Sequence, residues 1–223
     1  MSSSTNSYAR VSDARLDNLP DAPREALYAR GEHVQKALDA PTIAVVGARA
    51  CSGYGAHVAR TLGRDLAAAG ITVISGLARG VDAEAHRGAL DAAGRTVAVL
   101  GCGIDRDYPA AHAELARRIA ETGGIVAEYA PGVEPAPWRF PARNRIIAAL
   151  ADAVVIVEAR SRSGALITVD LAMEIGRPIY AVPGEITSAL SDGTNNLLRR
   201  GQAAAITSAR DVLDALGIEG TAR

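Results

Sequence analysis

The fold class is decided by the stretch Thr42-Ile43-Ala44-Val45-Val46-Gly47-Ala48-Arg49. Its first five residues are a short run of apolar and β-branched side chains, which is typical of a strand buried on both faces. The glycine ends that run, and an arginine follows in the turn. Because the chain repeats this order of apolar run, glycine-rich turn and helical pattern, we predict an α/β protein.

Outward from this stretch, the alternation of strands and helices continues to the end of the chain. Five more apolar runs predict strands at 71–74, 96–100, 125–128, 153–157 and 178–182. Helical patterns lie at about 55–69, 82–93, 110–122, 143–150, 165–175, 194–200 and 209–216. This order indicates a doubly wound, mostly parallel, Rossmann-like sheet with helices on both faces, which makes three layers. Ligands bind such sheets beyond the carboxyl ends of the strands.

The chain of 223 residues is long enough for one large α/β domain. We predict a mobile N-terminus and an irregular lead-in with one short helix over residues 1–40, followed by one Rossmann-like domain over 41–223. The net charge of −1 excludes a globally basic nucleic-acid-binding protein but allows a local basic pocket. The one lysine, Lys36, lies in the lead-in, so the domain has no lysine for a Schiff base or a P-loop.

The cysteines, histidines and apolar runs exclude several classes of protein. Cys51 and Cys102 are far apart and form no CxxC pattern, and the four histidines form no HxxxH or HExxH pattern. We therefore predict no disulfide and no metal site, and we expect no cofactor. The polar N-terminus has no apolar signal region, and no apolar run approaches the length of a membrane span, so we expect a soluble, cytoplasmic protein.

Several turns after predicted strands combine Gly, Ser and Arg, which suit phosphate binding at a helix start. These turns carry Arg49 and Ser52, then Ser75, Gly76 and Arg79, and finally Arg160, Arg162, Ser163 and Gly164. The stretch Phe140-Pro141-Ala142-Arg143-Asn144-Arg145 adds an aromatic ring and two arginines at the entry to a helix. Together they predict a pocket for several phosphates, with Phe140 or Tyr129 available for base stacking. Such a pocket on a near-neutral protein suits a nucleotide or a single strand better than a duplex.

Acidic residues beside these turns allow more than one interpretation. Asp82 is placed to cap a helix, and His86 lies one turn later on the same face. The two form either a base-orienting pair or a cap beside a buried histidine. Asp105 and Asp107 alone do not make a metal site, because no third ligand has suitable spacing. Glu158 ends a strand, where we expect it to hold an arginine.

These motifs resemble those of the DNA-processing protein A family, DprA/Smf. The matching residues are Gly47-x-Arg49-x-x-Ser52-x-Tyr54-Gly55, Ser75-Gly76-Leu77-Ala78-x-Gly80-Val81-Asp82-x-x-Ala85-His86, Phe140-Pro141-x-Arg143-Asn144-Arg145-Ile146-Ile147-Ala148, Glu158-Ala159 with Ser163-Gly164-x-Leu166-x-Thr168, and Ala181-Val182-Pro183-Gly184. The five motifs stand in the family's order, and the resemblance covers roughly residues 19–213.

The resemblance implies a homodimeric protein that is not an enzyme. Members of the family bind incoming single-stranded DNA during natural transformation, protect it and help to load the RecA recombinase onto it. Carried over to this sequence, the nucleic-acid-binding residues are Arg49, Ser52, Ser75, Gly76, Arg79, Phe140, Arg143, Asn144, Arg145, Ser163 and Gly164.

The chain also departs from the family, and two other functions stay open. Many members carry a helical domain before the Rossmann-like part and a winged helix after it, and we expect this chain to lack both. Lysines are common around the family's pocket, where this chain has arginine. A nucleotide phosphoribohydrolase of the lysine-decarboxylase-like LOG group would need a PGGxGT loop, which Pro183-Gly184-Glu185 does not supply. A sensor that binds a free nucleotide would use the same pocket. The GxGxxG fingerprint of NAD-binding proteins is missing after the first predicted strand.

Overall fold

A computed structural model describes residues 8–19 and 21–218 of the chain. The strands in these residues are β1 Ala9–Val11, β2 Leu27–Arg30, β3 Thr42–Val46, β4 Thr72–Ser75, β5 Thr96–Gly103, β6 Gly124–Tyr129, β7 Ala153–Ile156, β8 Ile179–Ala181 and β9 Ala204–Ala205. The helices are α1 Val34–Leu38, α2 Gly53–Ala68, α3 Val81–Asp91, α4 Ala113–Thr122, α5 Arg139–Leu150, α6 Gly164–Glu174, α7 Asp192–Arg199 and α8 Ala209–Ala215. Short 3₁₀ turns lie at Ala14–Asn18 and Ala110–His112.

The strands of the described residues form one sheet in the order β1-β2-β6-β5-β4-β3-β7-β8-β9. Strands β3 to β9 pair in parallel where they are neighbours, whereas β1 with β2 and β2 with β6 pair antiparallel. The chain runs outward from β3 to β6 and then returns to the other side of β3 as β7. This reversal confirms the predicted doubly wound, mostly parallel sheet and sets a topological switch point between β3 and β7.

Alternate residues of the central strands pack into opposite helical layers. In β3, Ala44 and Val46 lie in the cluster that includes residues of α1, α5, α6 and α7. Ile43 and Val45 lie in the opposite cluster, with residues of α2, α3 and α8, and α4 packs on a third cluster with α3. Helices therefore cover both faces of the sheet, because successive side chains of a strand point to opposite faces. This confirms the predicted three layers.

The lead-in differs from its predicted irregular form because it extends the sheet. Leu27 and Ala29 of β2 point inward and are buried, whereas Tyr28 and Arg30 are half-buried. Helix α1 is the short helix that the sequence predicts. The predicted mobile N-terminus falls partly on residues 1–7, which lie outside the described residues.

Helix α5 begins four residues earlier than predicted, at Arg139 instead of Arg143. Phe140 and Pro141 thus belong to its first turn, where proline is tolerated because its missing N–H has no partner within the helix. The early start places Arg143 inside the helix instead of at its first position. Among the described residues, no helix is both long and apolar enough to cross a membrane.

Candidate functional site

A cleft of about 630 Å³ opens at the carboxyl ends of the central strands. Its walls are the turn after β3, the first turns of α5 and the turn that leads from β7 into α6. The cleft therefore lies at the topological switch point, where doubly wound sheets bind their ligands.

The turn before α2 is closed by a carboxylate of the protein itself. Glu158, which is 3% exposed, accepts a hydrogen bond from the Ser52 backbone N–H at 2.8 Å and another from the Ser52 hydroxyl at 2.5 Å. A Cβ at Gly55 would lie 2.3 Å from Glu158 Oε2, so this close approach needs glycine. Ser52 is the N-cap of α2, and the predicted arginine partner of Glu158 is replaced by this serine.

The turn before α3 is closed in the same way by Asp82. Its carboxylate accepts hydrogen bonds from the backbone N–H groups of Gly76 and Ala78, at 3.1 and 3.4 Å. Asp82 therefore braces the preceding turn, and Gly80 rather than Asp82 occupies the N-cap position. Burial raises the pKa of the Asp82 carboxyl, while the positive charge of Arg143 works in the opposite direction.

Arg143 lies beneath the cleft floor and is only 4% exposed. Its guanidinium donates to the carbonyl of Gly76 at 2.8 Å and also to the carbonyl of Val99. A Cβ at Gly76 would lie 2.4 Å from the guanidinium, so the arginine fills the space that this glycine leaves. Burial lowers the pKa of Arg143 to about 10, which keeps it charged at neutral pH. Arg143 is therefore a buried brace between the end of β4 and β5, and its predicted phosphate contact stays a prediction.

The neighbouring residues of α5 point in different directions. Arg145 turns away from the cleft, pairs with Glu128 at 2.6 Å and donates to the carbonyl of Asp21 at 2.9 Å. Asn144 lines the cleft, and its amide donates to the carbonyl of Gly164 at 3.2 Å. Asn144 thus ties α5 to the start of α6, where Ser163 is the N-cap.

Three exposed guanidinium groups face the cleft from two walls. Arg49 follows β3, and Arg160 and Arg162 follow β7. Within the described residues, no carboxylate pairs with any of the three, and Asp82 is the one acidic residue among those lining the cleft. Since the carboxylates of Glu158 and Asp82 already accept from backbone N–H groups of the turns before α2 and α3, these arginines are the available anion ligands.

An aromatic pair stands beside these arginines. The rings of Tyr108 and Phe140 are stacked, with centroids 5.2 Å apart and an angle of 23° between the planes. The guanidinium of Arg49 lies 5.2 Å from the Phe140 centroid. Tyr108 is 43% exposed, so a planar ligand can reach its ring.

The remaining reactive groups have structural partners. His86 Nδ1 lies 2.6 Å from the Thr96 hydroxyl, and its hydrogen-bonding partner is not Asp82. Asp105 accepts from the Gly132 N–H at 2.9 Å, and Asp107 pairs with Arg30 at 2.6 Å. Within residues 8–19 and 21–218, no group of three His, Cys, Asp or Glu could hold a metal ion.

The predicted site residues thus fall into two groups. Those lining the cleft are Arg49, Phe140, Arg143, Asn144, Ser163 and Gly164, and their contact with nucleic acid stays a prediction. Those outside its lining are Ser52, Ser75, Gly76, Arg79 and Arg145. Ser75 is fully buried and donates to the Val45 carbonyl at 2.7 Å, which does not fit its predicted ligand contact. Arg79 is exposed on the turn before α3.

Comparison with known proteins settles the family. The family described as DNA recombination-mediator protein A matches residues 4–217. The chain belongs to this family. The DNA recombination-mediator protein A family contains the DprA and Smf proteins that the sequence motifs resemble, so the predicted resemblance is confirmed.

Relatives within the DNA recombination-mediator protein A family match over most of the chain. A putative DNA processing protein DprA of Mycobacterium tuberculosis (strain CDC 1551) is 51% identical over 78% of this chain, which spans 44% of that protein's length. The crystal structure of DprA from Streptococcus pneumoniae has a TM-score of 0.87 at 40% identity, over 94% of this chain and 74% of that one. The DNA processing protein A of Helicobacter pylori, whose structure concerns a unique single-stranded DNA binding mode, has a TM-score of 0.85 at 34% identity, over 94% and 95% of the two chains.

Proposed function

We propose that this chain is a DNA-binding protein that holds single-stranded DNA in the cleft without chemically altering it. The observation that carries the proposal is a set of three guanidinium groups, on Arg49, Arg160 and Arg162, that pair with no carboxylate of the described residues, on a chain with a net charge of −1. A concentration of positive charge in one cleft of a near-neutral protein suits a local phosphate chain better than a broad duplex face.

The aromatic pair supports a nucleic acid rather than a simple anion. A base stacked on Tyr108 or Phe140 would have its flanking phosphates within reach of arginines on both walls. Because every base has an aromatic face, this arrangement predicts weak dependence on base sequence. The single-stranded DNA binding of the Helicobacter pylori relative, which has nearly the same fold, supports the same conclusion.

Protection of the bound strand, loading of RecA, a role in natural transformation and a homodimeric state belong to the same proposal. Membership of the DNA recombination-mediator protein A family supports them. The expected cytoplasmic location and the expected lack of catalysis stay predictions. Asp82, the one carboxylate lining the cleft among the described residues, is engaged with backbone N–H groups, which gives little support to a hydrolase.

The test is fluorescence anisotropy of a labelled oligo-dT and of a matched duplex, each over a series of salt concentrations. We expect tight, salt-sensitive binding of the single strand and weak binding of the duplex. Binding of neither DNA would overturn the proposal. In that case, tight binding of a mononucleotide without turnover would indicate the sensor, and release of free base from a nucleoside monophosphate would indicate the LOG-like enzyme.

Variants of the cleft arginines sharpen this test. Arg160→Ala and Arg162→Ala should each weaken single-strand binding. If one phosphate contact is lost, each should also make the negative slope of log affinity against log salt shallower by about 0.7. Arg118→Ala removes an exposed arginine of α4 that does not line the cleft, and it should leave both quantities unchanged. Equal effects of all three variants would mean that binding depends on net charge and not on the cleft.

A further inference from the structure

The few aromatic residues of the chain are concentrated at the cleft end of the sheet. The sequence has one Phe, one Trp and six Tyr, and four of these residues lie here. Tyr108 and Phe140 line the cleft, whereas Tyr129 and Trp138 lie just outside it. Trp138 is the single tryptophan and is 63% exposed. An indole with so much apolar surface in solvent is typical of a binding surface.

The surroundings hold Trp138 in a defined position. The Arg139 guanidinium lies 4.7 Å from the centroid of Trp138 and 5.1 Å from that of Tyr129. The two rings meet edge to face, with centroids 6.5 Å apart. Arg139 also donates to the carbonyl of Glu134, which fixes the guanidinium to the loop before α5.

That loop is itself tied to the body of the protein. The Gly132 N–H donates to Asp105 at 2.9 Å, the Gly103 N–H donates to the Val133 carbonyl at 2.8 Å, and Arg106 pairs with Glu134 at 2.7 Å. Trp138, Arg139 and Tyr129 thus form a stacking platform that is held in place before binding. Such a platform loses little conformational entropy when a ligand stacks on it.

Sheet order places this platform in line with the cleft. Along the carboxyl edge the strands run β7, β3, β4, β5 and β6. Arg160 follows β7, Arg49 follows β3, Tyr108 follows β5, and Tyr129 ends β6. Four strand spacings separate β7 from β6, which is about 19 Å. An extended strand that lies on the arginines and the aromatic pair therefore continues toward Trp138.

From this arrangement we infer that Trp138 is a second base-stacking site, outside the cleft, for the same single strand. The indole takes the face of a nucleobase, and Arg139 beside it supplies a cation for the adjoining phosphate. This inference rests on the proposed function and adds one consequence to it. Only a strand long enough to leave the cleft gains the contact with Trp138.

The single tryptophan makes the contact directly measurable. Intrinsic fluorescence is followed while unlabelled oligo-dT is added to the wild-type protein, and anisotropy of labelled oligo-dT gives the affinity independently. We expect quenching of the fluorescence with the same midpoint as the binding curve. A thymidine dinucleotide, which fills only the cleft, should bind with little quenching. Oligo-dT that binds without any change in fluorescence would overturn the inference and leave the proposed function intact.

Variants supply the second measurement. Trp138→Ala should weaken oligo-dT binding on the order of ten-fold and leave dinucleotide binding unchanged, and Trp138→Phe should restore most of the loss. Ile186→Ala, at an apolar side chain that is 93% exposed and away from the cleft lining, is the control and should change neither affinity. An unchanged oligo-dT affinity, or an equal loss for both ligands, contradicts a second site. If the wild-type protein binds no single strand, the proposed function falls and the inference falls with it.

Discussion

The guanidinium of Arg143 is surrounded by carbonyl oxygens rather than by solvent. At the residue scale this separates it from Arg49, although both lie in motifs that suggest phosphate binding. Sequence alone gives both side chains the same chemistry. Arg143 lies three and four positions before Ile146 and Ile147, which are buried, so its side chain shares the buried side of α5.

Arg143→Ala should therefore destabilise the fold by about 3 kcal/mol. The change leaves the carbonyls of Gly76 and Val99 without their buried donor and removes the positive charge near Asp82. Urea denaturation measures the loss. Arg49→Ala is the matched control, and it should keep its stability within about 0.5 kcal/mol while it weakens single-strand binding. If Arg143→Ala kept full stability and lost only DNA affinity, the buried role would be wrong.

His86 provides a pH-dependent prediction at the same scale. Burial lowers its pKa to about 3, and the charge of Arg143 adds to this effect. In the unfolded chain the imidazole titrates near 6.5, so below that pH the unfolded state gains a proton that the folded state does not. The contribution of His86 to stability is present above pH 6.5 and is lost as the pH falls toward 3, with about 2 kcal/mol lost at pH 5.

Urea denaturation at several pH values measures this loss. His86→Asn should flatten the decline of stability between neutral and acidic pH, because asparagine does not titrate. His57→Asn, at an exposed histidine of α2, should leave the decline as it is in the wild type. An equally steep decline in His86→Asn would assign the acid sensitivity to other groups.

At the scale of elements, the sequence located every central strand and missed part of the chemistry of the turns. Continuous apolar runs mark β3 to β8, because both faces of these strands are buried. The pattern does not reveal that Glu158 and Asp82 occupy two turns that look like anion sites. Both carboxylates belong to the protein itself, and Glu158 meets Ser52 across 106 positions of sequence. The turn after β7 was also predicted to bind an anion, and its two arginines, Arg160 and Arg162, line the cleft.

Glu158→Gln tests the closed turn at the start of α2. We expect a loss of about 2 kcal/mol in the free energy of unfolding, because the hydrogen bonds from Ser52 lose a charged acceptor at a helix N-terminus. Single-strand affinity should change little. Glu185→Gln, at an exposed glutamate after β8, is the control for lost charge. If Glu158→Gln instead abolished DNA binding at unchanged stability, Glu158 would act at the ligand.

At the scale of the whole molecule, the lead-in is part of the sheet. Arg15 donates to the Thr42 hydroxyl at 2.8 Å and to the Leu38 carbonyl at 2.7 Å, which ties the lead-in to β3 and α1. The sequence did not reveal β2, because an alternation over only four residues is a weak signal and its partner β6 lies about a hundred positions away. Short antiparallel strands carry weak local signals, since their pairing is decided by distant residues.

A lead-in that forms part of the sheet should unfold together with it. Leu27 is fully buried between the edge of the sheet and its helical layer, so Leu27→Ala should lower the global free energy of unfolding by about 2–5 kcal/mol. Glu25→Ala breaks only the exposed ion pair with Arg10 and should cost less than about 1 kcal/mol. Far-UV circular dichroism in urea compares the two variants with the wild type. If the lead-in were loosely attached, Leu27→Ala would only make the lead-in unfold locally. The midpoint of the main urea transition would then stay unchanged. A shifted midpoint with an unchanged slope instead places residues 8–40 and the sheet in one cooperative unit.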